Sequence, residues 1–123
     1  MRGWLLAFSV LALVPGCKNE EADAGPASAT CGKKPLPDCP LQKWMKENMK
    51  PAFDQKDNVA LAKALDHVAA HPPTGFAGWD TTAKKGADAA RAGDSDAVKA
   101  SCKSCHEELR ARFKKEIRDK PLF

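Results

Sequence analysis

Two thiols and an imidazole stand close together near the carboxyl end of this chain. They lie in the run Cys102-Lys103-Ser104-Cys105-His106, and this run constrains whatever folds around it. C-x-x-C-H is the attachment signal for a c-type haem. Residues three apart on a helix share a face, so both sulfurs can meet one edge of a flat ring. The histidine directly after the second cysteine can meet the iron from one side. Such a chain needs a helix for the motif and a core with room for a macrocycle. Two other readings of paired thiols lack their context. A thioredoxin-like redox pair follows a strand, whereas Ala- and Lys-rich helical sequence flanks this motif on both sides. A structural zinc site needs a second ligand pair at metal spacing. Cys31 and Cys39, with seven residues between them, are too far apart for that.

The amino end supplies an independent signal. Arg2 precedes an apolar run from Trp4 to Val14, which has signal-peptide length and is short for a transmembrane helix. Pro15-Gly16-Cys17 follows, and a small residue before cysteine resembles the lipobox of bacterial lipoproteins. That resemblance implies that residues 1–16 are removed as a lipoprotein signal peptide and that Cys17 is lipidated. An ordinary secretory signal, giving a soluble periplasmic protein, is the alternative. Either reading exports the chain to the periplasmic side of a bacterial membrane, where c-type haem is attached. Residues 18–30 have no large apolar side chain and read as a flexible tether.

Removal of residues 1–16 leaves 107 residues, enough for one compact domain at 41–123 beyond the tether and a cystine loop. Arg2 is the one charge lost, so the formal net charge falls from +4 to +3, which two haem propionates nearly cancel. This balance gives no reason to expect a nucleic-acid partner. The short run Arg110, Arg112, Lys114, Lys115 reads as the solvated side of a helix, with docking of an acidic redox partner as the second reading. Cys31 and Cys39 are the remaining thiols of an exported protein and are expected to form a disulfide that closes a small loop ahead of the first helix.

Beyond residue 40 the apolar positions recur at helical spacing and no strand pattern appears. The first helix is expected from about Leu41 to Gln55, with Leu41, Met45, Met49 and Ala52 or Phe53 on one stripe and a kink or stop at Pro51. The second is expected from a cap at Asn58 to Ala70, with Leu61, Leu65 and Val68 inward. The third spans Trp79 to Ala92 and ends at Gly93. The fourth begins at Asp94 or Ser95 and reaches about Arg118, with Val98, Cys102, Cys105, Leu109, Phe113 and Ile117 on its stripe. Short connections predict an all-α, antiparallel up-down-up-down four-helix bundle with covalent haem in its core. Gly86, Ala87 and Ala90 on the third helix would leave room for something flat.

The run Ala89-Ala90-Arg91-Ala92-Gly93-Asp94, with Ala97, Ala100 and Cys102 to Arg110, resembles the class II c-type cytochromes, the cytochrome c prime family. That family carries its haem motif in the last helix, whereas most c-type cytochromes carry it near the amino end. Leu109 stands where the family usually has an aromatic residue. The stretch from Gly93 to Cys102 and the first helix are both shorter than in the family, and the Cys31–Cys39 segment and the long tail are additions. The resemblance implies one covalent haem c on Cys102 and Cys105, with His106 as axial ligand and Arg110 close enough to pair with a propionate. It also implies that the first helix meets the opposite face of the iron. Met45 or, alternatively, Met49 would then be the sixth ligand, since thioether sulfur binds haem iron and raises its potential. Core packing is the other role for both methionines. His67 and His71 are rival ligands that read as surface residues, and Trp44 and Trp79 could pack on the porphyrin edge or in the core. The function implied is electron transfer with redox partner proteins, by a monohaem cytochrome that is not an enzyme and touches the membrane through its lipid anchor only. The alternative is a five-coordinate protein that binds nitric oxide or carbon monoxide. Whether the chain forms a homodimer is left open.

Overall fold

The computed structural model describes residues 30–123. The lipobox, Cys17 and most of the tether therefore lie outside the described residues. Among the described residues all regular structure is helical, compatible with a helical bundle. None of these helices is long and apolar enough to cross a membrane.

Residues 40–54 form one helical run of α1 (Pro40–Trp44), a π turn (Met45–Met49) and α2 (Lys50–Asp54). The expected break at Pro51 takes this form because proline has no N–H to donate and its ring crowds the carbonyl four residues back. A wider turn just upstream relieves that conflict. Lys50 N–H bonds to the Met45 carbonyl, five residues back, and the Asn48 side-chain amide donates to the Trp44 carbonyl at 3.0 Å. The helix then continues through Pro51 without ending. Leu41 and Ala52 are buried, Met45 and Met49 are half-buried, and Phe53 is exposed, so Ala52 takes the inward position.

The run closes on Lys56 in the left-handed region, with φ 55°. Lys56 N–H bonds to Phe53 O at 3.2 Å and Asp57 N–H to Ala52 O at 2.9 Å, a Schellman closure built without glycine. A Cβ in that region costs about 1 kcal/mol. Lys56→Gly is expected to raise the unfolding free energy by about that amount, measured by denaturant titration. Asp57, one residue earlier than expected, caps α3 (Asn58–Ala70) by accepting from Ala60 N–H at 2.9 Å. The carboxylate reaches the free N–H groups of the first turn better than the Asn58 side chain, which already lies inside the helix.

The turn between α4 (Trp79–Arg91) and α5 (Ser95–Glu116) uses Gly93 and Asp94 together. Gly93, at φ 72°, closes α4 through Gly93 N–H to Ala90 O and Asp94 N–H to Ala89 O, both 3.0 Å. The Asp94 carboxylate then accepts from Ala97 N–H at 2.9 Å and starts α5. Two residues thus end one helix and begin the next, which fixes the register of the C-x-x-C-H run on α5.

Residues 40–54 pack on α3, α3 on α4, and α4 on α5. Gly86 permits close approach here. A Cβ on it would lie 2.9 Å from Ser101 Oγ on α5 and 3.3 Å from Leu65 Cδ1 on α3. Buried Ser101 completes the contact by donating to the Thr82 carbonyl at 2.6 Å. Gly86, Ala87 and Ala90 are therefore all buried against neighbouring helices. The expectation that they leave space for a flat group is corrected. Small side chains let helix backbones meet and so close the space rather than open it.

One apolar cluster joins Leu41, Val68, Phe76, Trp79 and Phe113. Trp79 stacks on Phe113 at 5.8 Å and donates its indole N–H to the Val68 carbonyl at 2.9 Å. Trp79 is thus a core residue. The Cys31 and Cys39 sulfurs lie 2.09 Å apart, at disulfide distance, with Cα atoms 4.9 Å apart. Gln42 ties this loop to α1, accepting from Cys39 N–H and donating to Gly32 O, both at 3.3 Å. Arg118 secures the same loop to the end of α5 through the Cys31 carbonyl at 2.6 Å.

Candidate haem site

The motif lies in the middle of α5, on about six turns of Ala-, Lys- and Glu-rich helix rather than at an end. Cys102 and Cys105 are half-buried free thiols, three residues apart and on the inward side of the helix. Cys102 packs against the cluster of Ala52, Leu61, Leu65, Ala87 and Val98. Leu109, one turn further on, packs against the cluster of Leu41, Trp79 and Phe113. His106 is exposed. The outer side of the motif is an ordinary solvated helix face, with a Lys103–Glu107 ion pair at 3.7 Å and Ser104 Oγ donating to Glu108 at 2.6 Å.

Burial raises the pKa of both thiols by disfavouring the thiolate. For Cys105 the neighbouring Cys102 and Glu108 push in the same direction. The imidazole of His106 is shifted the opposite way, first by desolvation and then by the positive charge of Arg110. Both effects favour the neutral ring, which is the form that can give a lone pair to a metal. Arg110 is exposed and lies one turn further along α5, near enough for its charge to act on His106.

On the other side stand the methionines. Met45 packs against the Leu41–Phe113 cluster, and Met49 packs against that cluster and against the one that Cys102 joins. The two residues are the first and last of the π turn. No Cα of residues 40–54 comes within 8 Å of a Cα of α5. Directly packed helices have axes about 8–10 Å apart and bring their backbones closer than that. The first helical run and α5 are therefore not packed backbone to backbone, although Leu41 of the one and Phe113 of the other belong to the same apolar cluster. No three His, Cys, Asp or Glu side chains gather as a metal cluster among the described residues. A covalently attached haem needs no such cluster, only two sulfurs and an axial imidazole.

The remaining expected residues lie elsewhere. Trp44 stacks on His67 at 5.2 Å and 20°. His67, His71 and Phe123 complete an aromatic cluster with it, the Phe123 ring centroid lying 4.4 Å from His67 and 5.1 Å from His71. The two histidines are thus half-buried in a packed cluster, a correction to the plain surface reading. Their neighbour Phe123 was not legible at the sequence level. The one hint was the apolar pair Leu122-Phe123 beyond the proline that follows α5. A depression of about 310 Å³ between α1 and this tail is lined by Leu41, Trp44, Glu47 and Phe123 and lies away from the motif. Arg112 is not free for docking. It donates to the Gly75 carbonyl at 2.8 Å and to Glu116 at 2.9 Å, and its guanidinium lies 4.5 Å from the Phe76 centroid.

No known protein-family model, curated protein or solved structure matches this chain.

Proposed function

We propose that this chain is a monohaem c-type cytochrome of the electron-transfer kind, an up-down-up-down bundle with haem carried on Cys102 and Cys105. The observation that carries the reading is the C-x-x-C-H run in the middle of α5, with both thiols half-buried on one side of that helix and His106 exposed beside them. Bound haem supplies a one-electron couple; the protein does no bond chemistry beyond attachment. Cys102 and Cys105 would hold the haem through thioethers. His106, whose surroundings favour the neutral ring, would supply a nitrogen to the iron. Met45, or else Met49, would supply a thioether sulfur to the iron, chemistry that favours the ferrous state and excludes other ligands. Cys102 and Leu109 pack against apolar clusters, which would shield that side of the haem from water. Exposed Arg110 stands one turn from His106, where it can pair with a propionate.

The test is the mass of the exported protein made in a host that matures c-type cytochromes. It should exceed the polypeptide mass by one haem, and the excess should survive acid-acetone extraction. Extractable haem would end the proposal.

The proposed location is the periplasmic side of a bacterial membrane, with the lipid on Cys17 as anchor and redox proteins as partners. Cys17→Ser is expected to move the protein from the membrane fraction to the soluble periplasm with its absorption spectrum unchanged, because the tether precedes the domain. Wild-type protein already wholly soluble would reverse the anchoring assignment.

A further inference from the structure

His67 and His71, which the haem motif does not use, stand one helical turn apart, with His71 at the carboxyl end of α3. Their ring centroids are 4.5 Å apart. This is the i, i+4 spacing at which two helical imidazoles reach one metal ion. Each ring is oriented by a separate device. His71 Nδ1 lies 2.7 Å from the His67 carbonyl, and since a carbonyl only accepts, Nδ1 carries the proton. That tautomer leaves the Nε2 lone pair free, as carbonyl bonds do behind histidine metal ligands. His67 is oriented by the Trp44 stack. Among the described residues neither nitrogen of His67, nor Nε2 of His71, has a hydrogen-bond partner. Both residues are only half-buried. Of the carboxylates nearby in sequence, Asp66 pairs with Arg91 and Glu47 with Lys43, while Lys63 stands one turn before His67 on α3.

We propose that His67 and His71 together bind one divalent transition-metal ion of the zinc and copper class, with water completing its shell. Imidazole nitrogen suits these ions, and hard cations such as magnesium or calcium prefer oxygen. With no third His, Cys, Asp or Glu side chain gathered there among the described residues, binding rests on two imidazole nitrogens and is reversible.

Zinc chloride titrated calorimetrically into the full mature protein tests this. One zinc per chain is expected. His67→Phe and His71→Phe keep an aromatic ring in the cluster and should each weaken binding at least tenfold, with far-ultraviolet dichroism and visible absorption unchanged. Zinc should raise the melting temperature of wild type and of neither variant. Absence of zinc binding, or equal binding by wild type and both variants, would overturn the proposal. The site shares no residue with Cys102, Cys105 or His106, so a chain without covalent haem would refute the cytochrome reading and leave the zinc result standing.

Discussion

The double variant Cys102→Ala, Cys105→Ala is expected to be exported with no covalently held haem, the largest effect any exchange in this chain should produce. A thioether needs a sulfur, and among the described residues the only other sulfurs of cysteine, Cys31 and Cys39, are joined to one another. Each single variant should retain haem through one bond, with a shifted absorption band. Alanine is the best helix former, so α5 itself should persist. The measurement is haem staining after denaturing electrophoresis, paired with far-ultraviolet dichroism of the same samples. Staining of the double variant would show that attachment does not use these thiols.

Met45→Ala is expected to convert a low-spin ferric protein into a high-spin one. It should also remove the weak far-red sulfur-to-iron band, lower the reduction potential and admit carbon monoxide. The reason is that thioether ligation stabilises ferrous iron and fills the position a gas would take. Met49→Ala should keep the band. It should cost about 1–2 kcal/mol in unfolding free energy, less than a fully buried methionine, because its side chain is only half-buried. The two residues bound the π turn, so they respond differently to any change in helical register. If only Met49→Ala removes the band, the ligand is Met49. Wild-type protein that is high-spin and binds gas readily would favour the five-coordinate reading.

Local chemistry made much of the fold legible beforehand. Apolar residues at helical spacing marked α3, α4 and α5 to within a residue or two, because periodicity and caps act over a single turn. The Gly93-Asp94 junction was readable for the same reason. Gly93 adopts a φ few other residues tolerate, and Asp94 carries a side chain suited to the next helix start. The pairing of Cys31 with Cys39 follows the same rule, since a short loop leaves them few other partners.

What the sequence by itself determined is the set of groups available, namely two thiols and an imidazole in one helix and two methionines in another. It also determined which side of α5 is apolar. Only the tertiary structure decided where those groups stand. Pro51 turned out to widen the helix ahead of it rather than end it, because α2 still had Ala52 to bury. Gly86 and its alanines turned out to close the α4 interface, because helix packing on both sides claimed their small volume. The gathering of Trp44, His67, His71 and Phe123 joins residues up to 79 positions apart, from Trp44 to Phe123. Contacts of that kind depend on which helices become neighbours and where the tail returns, and no local pattern encodes either.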